Sequence, residues 1–120
     1  MKTPEADLKD KVKKLLSLLV PQLWFWMPVP TGFGVRGIPD FVGVWKGHFF
    51  AIETKSPRQK PNPWQARIHK LILAAGGSVC VAYTMEDIGA FLRKIQDVRL
   101  RDPNAGTYYD GAAEGKDHQA

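Results

Sequence analysis

The sequence contains only one cysteine and three scattered histidines, and this scarcity excludes two kinds of structure. Cys80 cannot form an intramolecular disulfide, and it lies in the apolar run SVCVAY, which is typical of a buried thiol in a reducing compartment. His48, His69 and His118 have no partner at metal-ligand spacing, so the sequence indicates no zinc-type cluster. The 120 residues, 44% of them hydrophobic, suffice for one compact domain with a modest core.

Charge is absent from the range 15–35, which is long enough to resemble a membrane-spanning segment. However, Pro21, Pro28 and Pro30 would interrupt any helix in this range. A secretory signal also fits poorly, because acidic residues occur in the N-terminal stretch where a basic leader would lie. We therefore expect a soluble, cytoplasmic protein with no membrane partner.

Acidic residues are missing between Glu53 and Glu86, whereas basic residues accumulate there: Lys55, Arg58, Lys60, Arg67 and Lys70. The first 101 residues carry 16 Lys and Arg against eight Asp and Glu, while residues 102–120 carry four acids and one base. A solvated face is the usual explanation of a charge run. Clustering of one sign on a small domain favours a polyanionic partner, most often nucleic acid. Both interpretations stay open on charge alone.

Local signals in the N-terminal half predict one helix followed by three strands. Thr3 and Pro4 form an N-cap and a first helical position, and apolar residues then recur at helical spacing over residues 4–19. The stretch QLWFWMPV is apolar on both faces, which predicts a strand covered on both sides. The stretches PDFVGVW and HFFAIETK are strands separated by Lys46-Gly47, a tight hairpin signal.

The C-terminal half continues the pattern with helix, strand and helix. Asn62-Pro63 starts a helix that Gly76-Gly77 ends, and its predicted apolar stripe consists of Trp64, Ile68, Leu71, Ile72 and Ala75. SVCVAYT is a buried strand, and MEDIGAFLRKI is the last helix. The predicted order is α-β-β-β-α-β-α, an α/β sandwich. Residues 102–120, rich in Gly, Ala, Asp and Asn, are predicted to form a flexible C-terminal tail.

The glycines of TGFGVRGIPDF spell G-x-G-x-x-G, the pattern of a dinucleotide-binding loop. That loop must follow a strand and open a helix within a βαβ unit. Here the third glycine is followed by Ile38-Pro39 and then directly by a strand pattern, so no room remains for the helix. The cofactor interpretation fails, and the glycines more simply let a loop bend beside a bulky group or approach a phosphate backbone.

Two acids and a lysine fall at one end of the predicted hairpin. Asp40 opens the first strand, while Glu53 and Lys55 close the second and share one of its faces. The hairpin therefore brings Asp40 beside Glu53, where two carboxylates form a hard-oxygen site suited to Mg²⁺. Such an ion generates a hydroxide nucleophile and neutralises charge on a phosphate, and an adjacent ammonium orients the attacking water. Surface salt bridging is the ordinary alternative for these residues.

At GIPD, AIETK and PNPWQ the sequence resembles the VRR-NUC domains of the PD-(D/E)XK nuclease superfamily, especially short stand-alone phage and viral forms. The resemblance covers roughly residues 3–95 and implies a nuclease domain over residues 1–101. The implied fold is a restriction-endonuclease-like α-β-β-β-α-β core, in which helices flank a mixed central sheet. It implies Mg²⁺-dependent phosphodiester hydrolysis, with Mn²⁺ as a substitute.

The resemblance also implies roles for individual residues. Asp40, Glu53 and the backbone carbonyl of Thr54 would hold the metal, and Lys55 would handle the nucleophilic water. Glu5 matches the first-helix acid of the family, as a further catalytic and metal residue, and Gln65 matches the helix glutamine. Some superfamily members carry a tyrosine four residues after that glutamine, where this sequence has His69.

Several of these residues have simpler explanations. Gln65 is three residues after Asn62 and could complete a capping box, a role compatible with a place in the site. Glu5 lies in the first helical turn, where the macrodipole favours any acid, yet it shares an inward stripe with Leu8 rather than pointing outward with Lys9. The family resemblance and the basic run together predict five DNA contacts: Arg36, Arg58, Lys60, Arg67 and Lys70. An exposed arginine with no ligand is nearly as good an account of Arg36.

Trp45 and Trp64 flank the predicted site and could stack unpaired bases, although packing in the core or in a dimer is the simpler interpretation. The sequence and the resemblance together predict a Mg²⁺-dependent DNA endonuclease in phage replication, repair or recombination. The resemblance alone implies that it is structure-directed on branched DNA such as Holliday junctions. The resemblance implies a homodimer in a host cytoplasm. The alternatives are an end-processing exonuclease, or a non-catalytic nucleic-acid-binding module on the same fold.

Overall fold

The computed structural model describes residues 2–30, 32 and 34–114, and it contains one mixed sheet flanked by helices. The elements, in chain order, are α1 (Pro4–Leu19), β1 (Leu23–Trp26), β2 (Phe41–Trp45), β3 (His48–Thr54), α2 (Pro63–Ala74), β4 (Ser78–Ala82), α3 (Met85–Arg101), β5 (Tyr108–Asp110) and α4 (Gly111–Glu114). The strands lie in the order β1-β2-β3-β4-β5. The first two pairings are antiparallel, and the β3–β4 and β4–β5 pairings are parallel. The predicted α/β fold class is confirmed.

The predicted N-terminal elements form for the expected local reasons. The Thr3 side chain accepts a hydrogen bond from the Ala6 N–H at 3.1 Å, which caps α1, and Pro4 occupies the first turn. Lys46 and Gly47 join β2 to β3 with φ of 51° and 81°. Positive φ at both central residues is the geometry of a type I′ hairpin, so the turn sets the register in which Phe41 pairs with Ile52.

The two faces of the sheet carry unequal cores. One face packs against α1 and α3 in a large cluster, whose fully buried members include Val12, Leu16, Phe41, Phe50, Ile52, Phe91 and Ile95. On the other face α2 covers a small cluster of Val42, Ala51 and Val79. Glu53 lies two residues beyond Ala51 on β3, so it shares the face that α2 covers.

Strand β1 differs from its prediction as a strand covered on both faces. It is an edge strand of the sheet, and Trp24 and Trp26 are 58% and 43% exposed. The reason is the reach of α2, which packs over β2, β3 and β4 and leaves the corresponding face of β1 open. Trp45 packs against the large core near the hairpin, at the opposite end of β2 from Asp40, so the prediction that it flanks the site is wrong.

The predicted apolar stripe of α2 is partly wrong. Trp64 and Leu71 are exposed, Ile68 and Ile72 are half-buried, and the buried residue of the helix is His69. The helix is therefore rotated about its axis relative to the prediction, and the polar side chain of His69 faces Glu53 in the sheet.

The prediction of a flexible tail from residue 102 is wrong for residues 102–114. Helix α3 continues to Arg101, and Tyr108–Asp110 adds a fifth strand parallel to β4. Tyr109 of this strand is buried in the large core. Residues 115–120 of the predicted tail lie outside the described residues. No described helix has the length and apolar character needed to cross a membrane.

Candidate active site

Asp40 and Glu53 lie side by side at one end of the β2–β3 hairpin. Asp40 directly precedes Phe41, whose partner Ile52 directly precedes Glu53. The structure thus brings together the two carboxylates that the predicted hairpin placed side by side. Asp40 is partly exposed, whereas Glu53 is only 2% exposed, so the site has one solvent-accessible and one buried carboxyl group.

Asp40 is held by the neighbouring strand and by α1. Its Oδ2 accepts hydrogen bonds from the Thr54 N–H at 2.8 Å and from the Thr54 hydroxyl at 2.7 Å. Its Oδ1 lies 3.4 Å from the ammonium of Lys9. One oxygen is therefore fixed by the protein, and the other meets a half-exposed cation that a bound metal ion could displace.

Glu53 is a buried carboxyl without full hydrogen bonding. Its Oε1 has no hydrogen-bond partner among the described residues. Burial raises the pKa of Glu53 to about 9, and the negative charge of Asp40 and a hydrogen bond with Asp40 add to the rise, while Lys55 opposes it. In the absence of a cation, Glu53 is consequently protonated at neutral pH.

His69 is the site residue that sequence reasoning left without a role. It is 3% exposed, and its Nε2 lies 3.6 Å from Glu53 Oε1, beyond a good hydrogen bond. That Nε2 also lacks a hydrogen-bond partner among the described residues. Burial and the charge of Lys55 lower the pKa of His69, so the ring is neutral at neutral pH. The available signal was spacing, because His69 follows Gln65 by one helical turn and shares its face.

Glu5 and Lys55 both act electrostatically on the buried carboxyl. The charge of Glu5, in the first turn of α1, contributes to the raised pKa of Glu53, and Lys55 counteracts it. Both side chains are half-buried. The role of Glu5 as a metal residue stays a prediction.

Gln65 forms the capping box of α2. Its Oε1 accepts a hydrogen bond from the Asn62 N–H at 3.0 Å, and Asn62 Oδ1 accepts one from the Gln65 N–H at 2.9 Å. The capping interpretation is confirmed. The cap uses the carbonyl oxygen of the side-chain amide.

The donor set fits a small, hard divalent cation. Among the described residues there is no group of three or more His, Cys, Asp or Glu side chains that could hold a metal ion. Glu5 therefore does not complete a three-carboxylate group with Asp40 and Glu53 in that part of the chain. Mg²⁺ keeps several waters and binds through one or two carboxylates, which matches Asp40, the unpartnered Oε1 of Glu53 and the expected carbonyl of Thr54.

The residues predicted to contact DNA lie on three segments of the chain. Arg36 stacks on Trp64, with its guanidinium 5.2 Å from the ring centroid. Arg58 and Lys60 lie in the loop after β3, and Arg67 and Lys70 lie on the exposed side of α2. Their contact with DNA stays a prediction.

Gly37 is the third glycine of the glycine-rich loop, and its surroundings show why a glycine is needed there. Its φ is +83°, and an added Cβ would lie 2.4 Å from the backbone carbonyl carbon of Trp64. The loop therefore passes directly over the start of α2, as a bend beside a bulky group. This contact anchors the segment that leads into Asp40. Thr31 and Phe33 of the same loop lie outside the described residues.

Comparison with known proteins adds two similarities. No protein-family model matches the sequence. The chain is 41% identical over 49 residues to "Putative nuclease p44" of Acyrthosiphon pisum secondary endosymbiont phage 1. That match covers 40% of this chain and 53% of the phage protein, so the chain spans about half the length of this curated relative.

The second similarity is to a solved structure described as "VRR_NUC domain". It matches with a TM-score of 0.63 at 21% identity, and the match covers 77% of this chain and 97% of the other. The expectation drawn from GIPD, AIETK and PNPWQ is confirmed at the level of the fold. This chain has the fold of a VRR_NUC domain.

Proposed function

We propose that the chain is a Mg²⁺-dependent deoxyribonuclease whose metal ligands are Asp40 and Glu53. The observation that carries the proposal is the buried Glu53 carboxyl, with an unpartnered Oε1 among the described residues, beside Asp40. A buried carboxylate without a partner destabilises a fold, and a divalent cation removes that cost. The similarity to a phage protein named as a nuclease and the VRR_NUC fold support the same reaction class.

In the proposed mechanism, the protein positions both charge and water. When bound, Mg²⁺ supplies positive charge beside the scissile phosphate and makes the attacking water more acidic. Thr54 fixes Asp40 Oδ2 through two hydrogen bonds, so Asp40 Oδ1, which faces Lys9, would be the oxygen available to hold Mg²⁺. Lys55 would orient the attacking water by donating a hydrogen bond from Nζ. As the water oxygen bonds to phosphorus, the P–O bond to the leaving strand would break and the proton of the water would pass to solvent.

The same proposal extends to substrate and assembly. We propose structure-directed endonuclease cleavage of branched DNA by a homodimer, as the family resemblance implies. End-processing exonuclease activity is the alternative within enzymes. A non-catalytic DNA-binding module is less favoured, because DNA binding alone needs no buried carboxyl, and Glu53 then costs stability without a compensating role.

The direct test is cleavage of a panel of linear, flapped and four-way DNAs with Mg²⁺, with Mn²⁺ or with EDTA. We expect cleavage with either metal, preference for a branched substrate, and no cleavage in EDTA. Asp40→Asn should abolish cleavage while DNA affinity holds or rises. Asp97→Asn is the matched control. Asp97 is exposed and lies near the C-terminal end of α3, about 18 Å along the helix from Met85. Wild-type cleavage by Asp40→Asn would refute the metal-site assignment.

Glu5→Gln separates a role in the site from a role at the helix terminus. The change keeps the shape of the side chain and removes its charge, so we expect turnover to fall at least roughly tenfold, about 1.4 kcal/mol of transition-state stabilisation. Raising the Mg²⁺ concentration should restore part of that loss. The measurement is turnover and the free energy of unfolding on the same preparation.

Asp7→Asn is the control for Glu5→Gln, because Asp7 also lies in the first turn but pairs with Lys11 at 3.1 Å. Loss of either first-turn acid should cost roughly 0.3–1 kcal/mol of stability. Only the Glu5 variant should lose turnover. Equal turnover in both variants would remove Glu5 from the site.

A further inference from the structure

A cavity of about 740 Å³ lies beside α3, and none of the proposed metal ligands lines it. Three segments that are distant in sequence surround it: residues 57–60 after β3, residues 83–93 from the end of β4 into α3, and residues 109–112 from β5 into α4. Its volume falls within the range of small-molecule sites. The cavity is thus large enough for one ligand of nucleotide size.

The cavity and the metal site share one edge of the sheet. The Lys55 N–H donates a hydrogen bond to the Ala82 carbonyl at 2.9 Å, and the next residue, Tyr83, forms part of the cavity wall. Pro57, two residues after Lys55, forms another part. A strand bound at Lys55 therefore needs only a short path to reach the cavity.

The cavity wall is held in place before any ligand binds. The Tyr83 hydroxyl donates to the Gln59 carbonyl at 2.6 Å and ties the loop to the end of β4. Asp87 is buried, and its Oδ2 accepts the N–H groups of Tyr83 and Thr84 at 2.8 and 3.0 Å. The Asp87 carboxylate is thereby hydrogen-bonded within the protein, and its negative charge still counts among the charges that line the cavity.

The charge around the cavity is positive, and one cation is held at a conformational cost. Arg58, Lys60 and Arg93 line the cavity, against Glu86 and the internally bonded Asp87. Arg58 has φ of 71°, in the left-handed region that glycine occupies at lower cost. A cationic side chain therefore stands at the cavity in a backbone conformation that favours glycine.

We propose that this cavity binds one unstacked nucleotide of the DNA strand that continues from the scissile phosphate, an inference that rests on the proposed function. The base lies against Tyr83 and the apolar wall of Pro57 and Ala90, because aromatic stacking tolerates any base. Arg58, Lys60 and Arg93 bind the adjoining phosphates. The preference for branched or flapped DNA then follows, since only a nucleotide outside a duplex can enter the cavity.

The test is an abasic scan of binding, measured in EDTA so that it does not depend on cleavage. Flapped DNAs carry a single abasic residue at successive positions near the branch, and the affinity of each is compared with that of the intact DNA. We expect one position to weaken wild-type binding roughly five- to a hundredfold, the range of one base–aromatic stack. Ala90→Trp fills the cavity and should erase that penalty, whereas the exposed control Ala74→Trp should retain it.

Arg58→Gly keeps the test valid if Ala90→Trp fails to fold. It removes the cation and relaxes the left-handed backbone, so the unfolding midpoint should not fall, while both the affinity for the flapped DNA and the penalty at the abasic position should decrease. If the protein cleaves DNA but no abasic position weakens binding, the proposal that the cavity binds a nucleotide is wrong and the proposed nuclease function stands. If one abasic position weakens binding but the protein does not cleave DNA, nucleotide binding in the cavity stands and the proposed nuclease function is wrong. A flat scan with dAMP binding that Ala90→Trp abolishes would assign the cavity to a free nucleotide and overturn the strand proposal.

Discussion

Glu53→Gln is expected to make the metal-free protein more stable and to abolish its DNA cleavage. The folded protein keeps a proton on Glu53 up to a pKa of about 9, whereas the unfolded chain releases it near 4.5. The folded state therefore binds more protons between these values, and stability falls as pH rises through this window. At pH 7 the cost is on the order of 3 kcal/mol, and glutamine, which is neutral at every pH, does not incur it.

Thermal or urea unfolding between pH 5 and 9 in EDTA measures this difference. The wild type should lose stability as pH rises, and Glu53→Gln should lose much less. Mg²⁺ should stabilise the wild type, because it binds the folded state, and should leave the variant unchanged. A variant that is less stable than the wild type at pH 8 in EDTA would show that the buried carboxyl is well satisfied without metal.

Tyr109→Ala is expected to destabilise the protein by roughly 3–5 kcal/mol, the usual cost of removing a buried aromatic side chain. Tyr109 is buried in the large core, and its strand pairs with β4 through Cys80. Deleting residues 104–120 should cost at least as much, because it removes β5 together with this ring. Chemical unfolding provides the measurement.

Tyr109→Phe is the control for the buried ring. It removes only the hydroxyl, which lies 3.5 Å from Asp87 Oδ1, so the loss should be small. If Tyr109→Ala or the deletion left the unfolding free energy unchanged, residues 102–114 would belong to a tail after all, as composition alone predicts.

Local signals accounted for the elements whose causes are local. The Thr3-Pro4 cap and the regular apolar spacing place α1 at residues 4–19, and Lys46-Gly47 places the hairpin that aligns Asp40 with Glu53. Strand β5 has no such signal. Three residues, Tyr108–Asp110, become a strand only because β4 offers them a parallel partner far away in sequence.

The site was predictable where it depends on strand register and unpredictable where helices meet the sheet. Helical spacing places Lys9 on the solvent side of α1, yet its ammonium reaches Asp40. Periodicity assigns the inner face of α2 to apolar residues, yet His69 occupies it because Glu53 lies below. The cavity could not be predicted at all, since three segments form it only after the sheet is complete.

Calorimetric titration with Mg²⁺ tests the central claim most directly, that Asp40 and Glu53 together hold the catalytic metal. The wild type and Asp97→Asn should bind Mg²⁺ and cleave DNA with matching metal dependence. Asp40→Asn and Glu53→Gln should show no saturable binding and no cleavage while remaining folded. Wild-type Mg²⁺ affinity in Glu53→Gln would contradict the account.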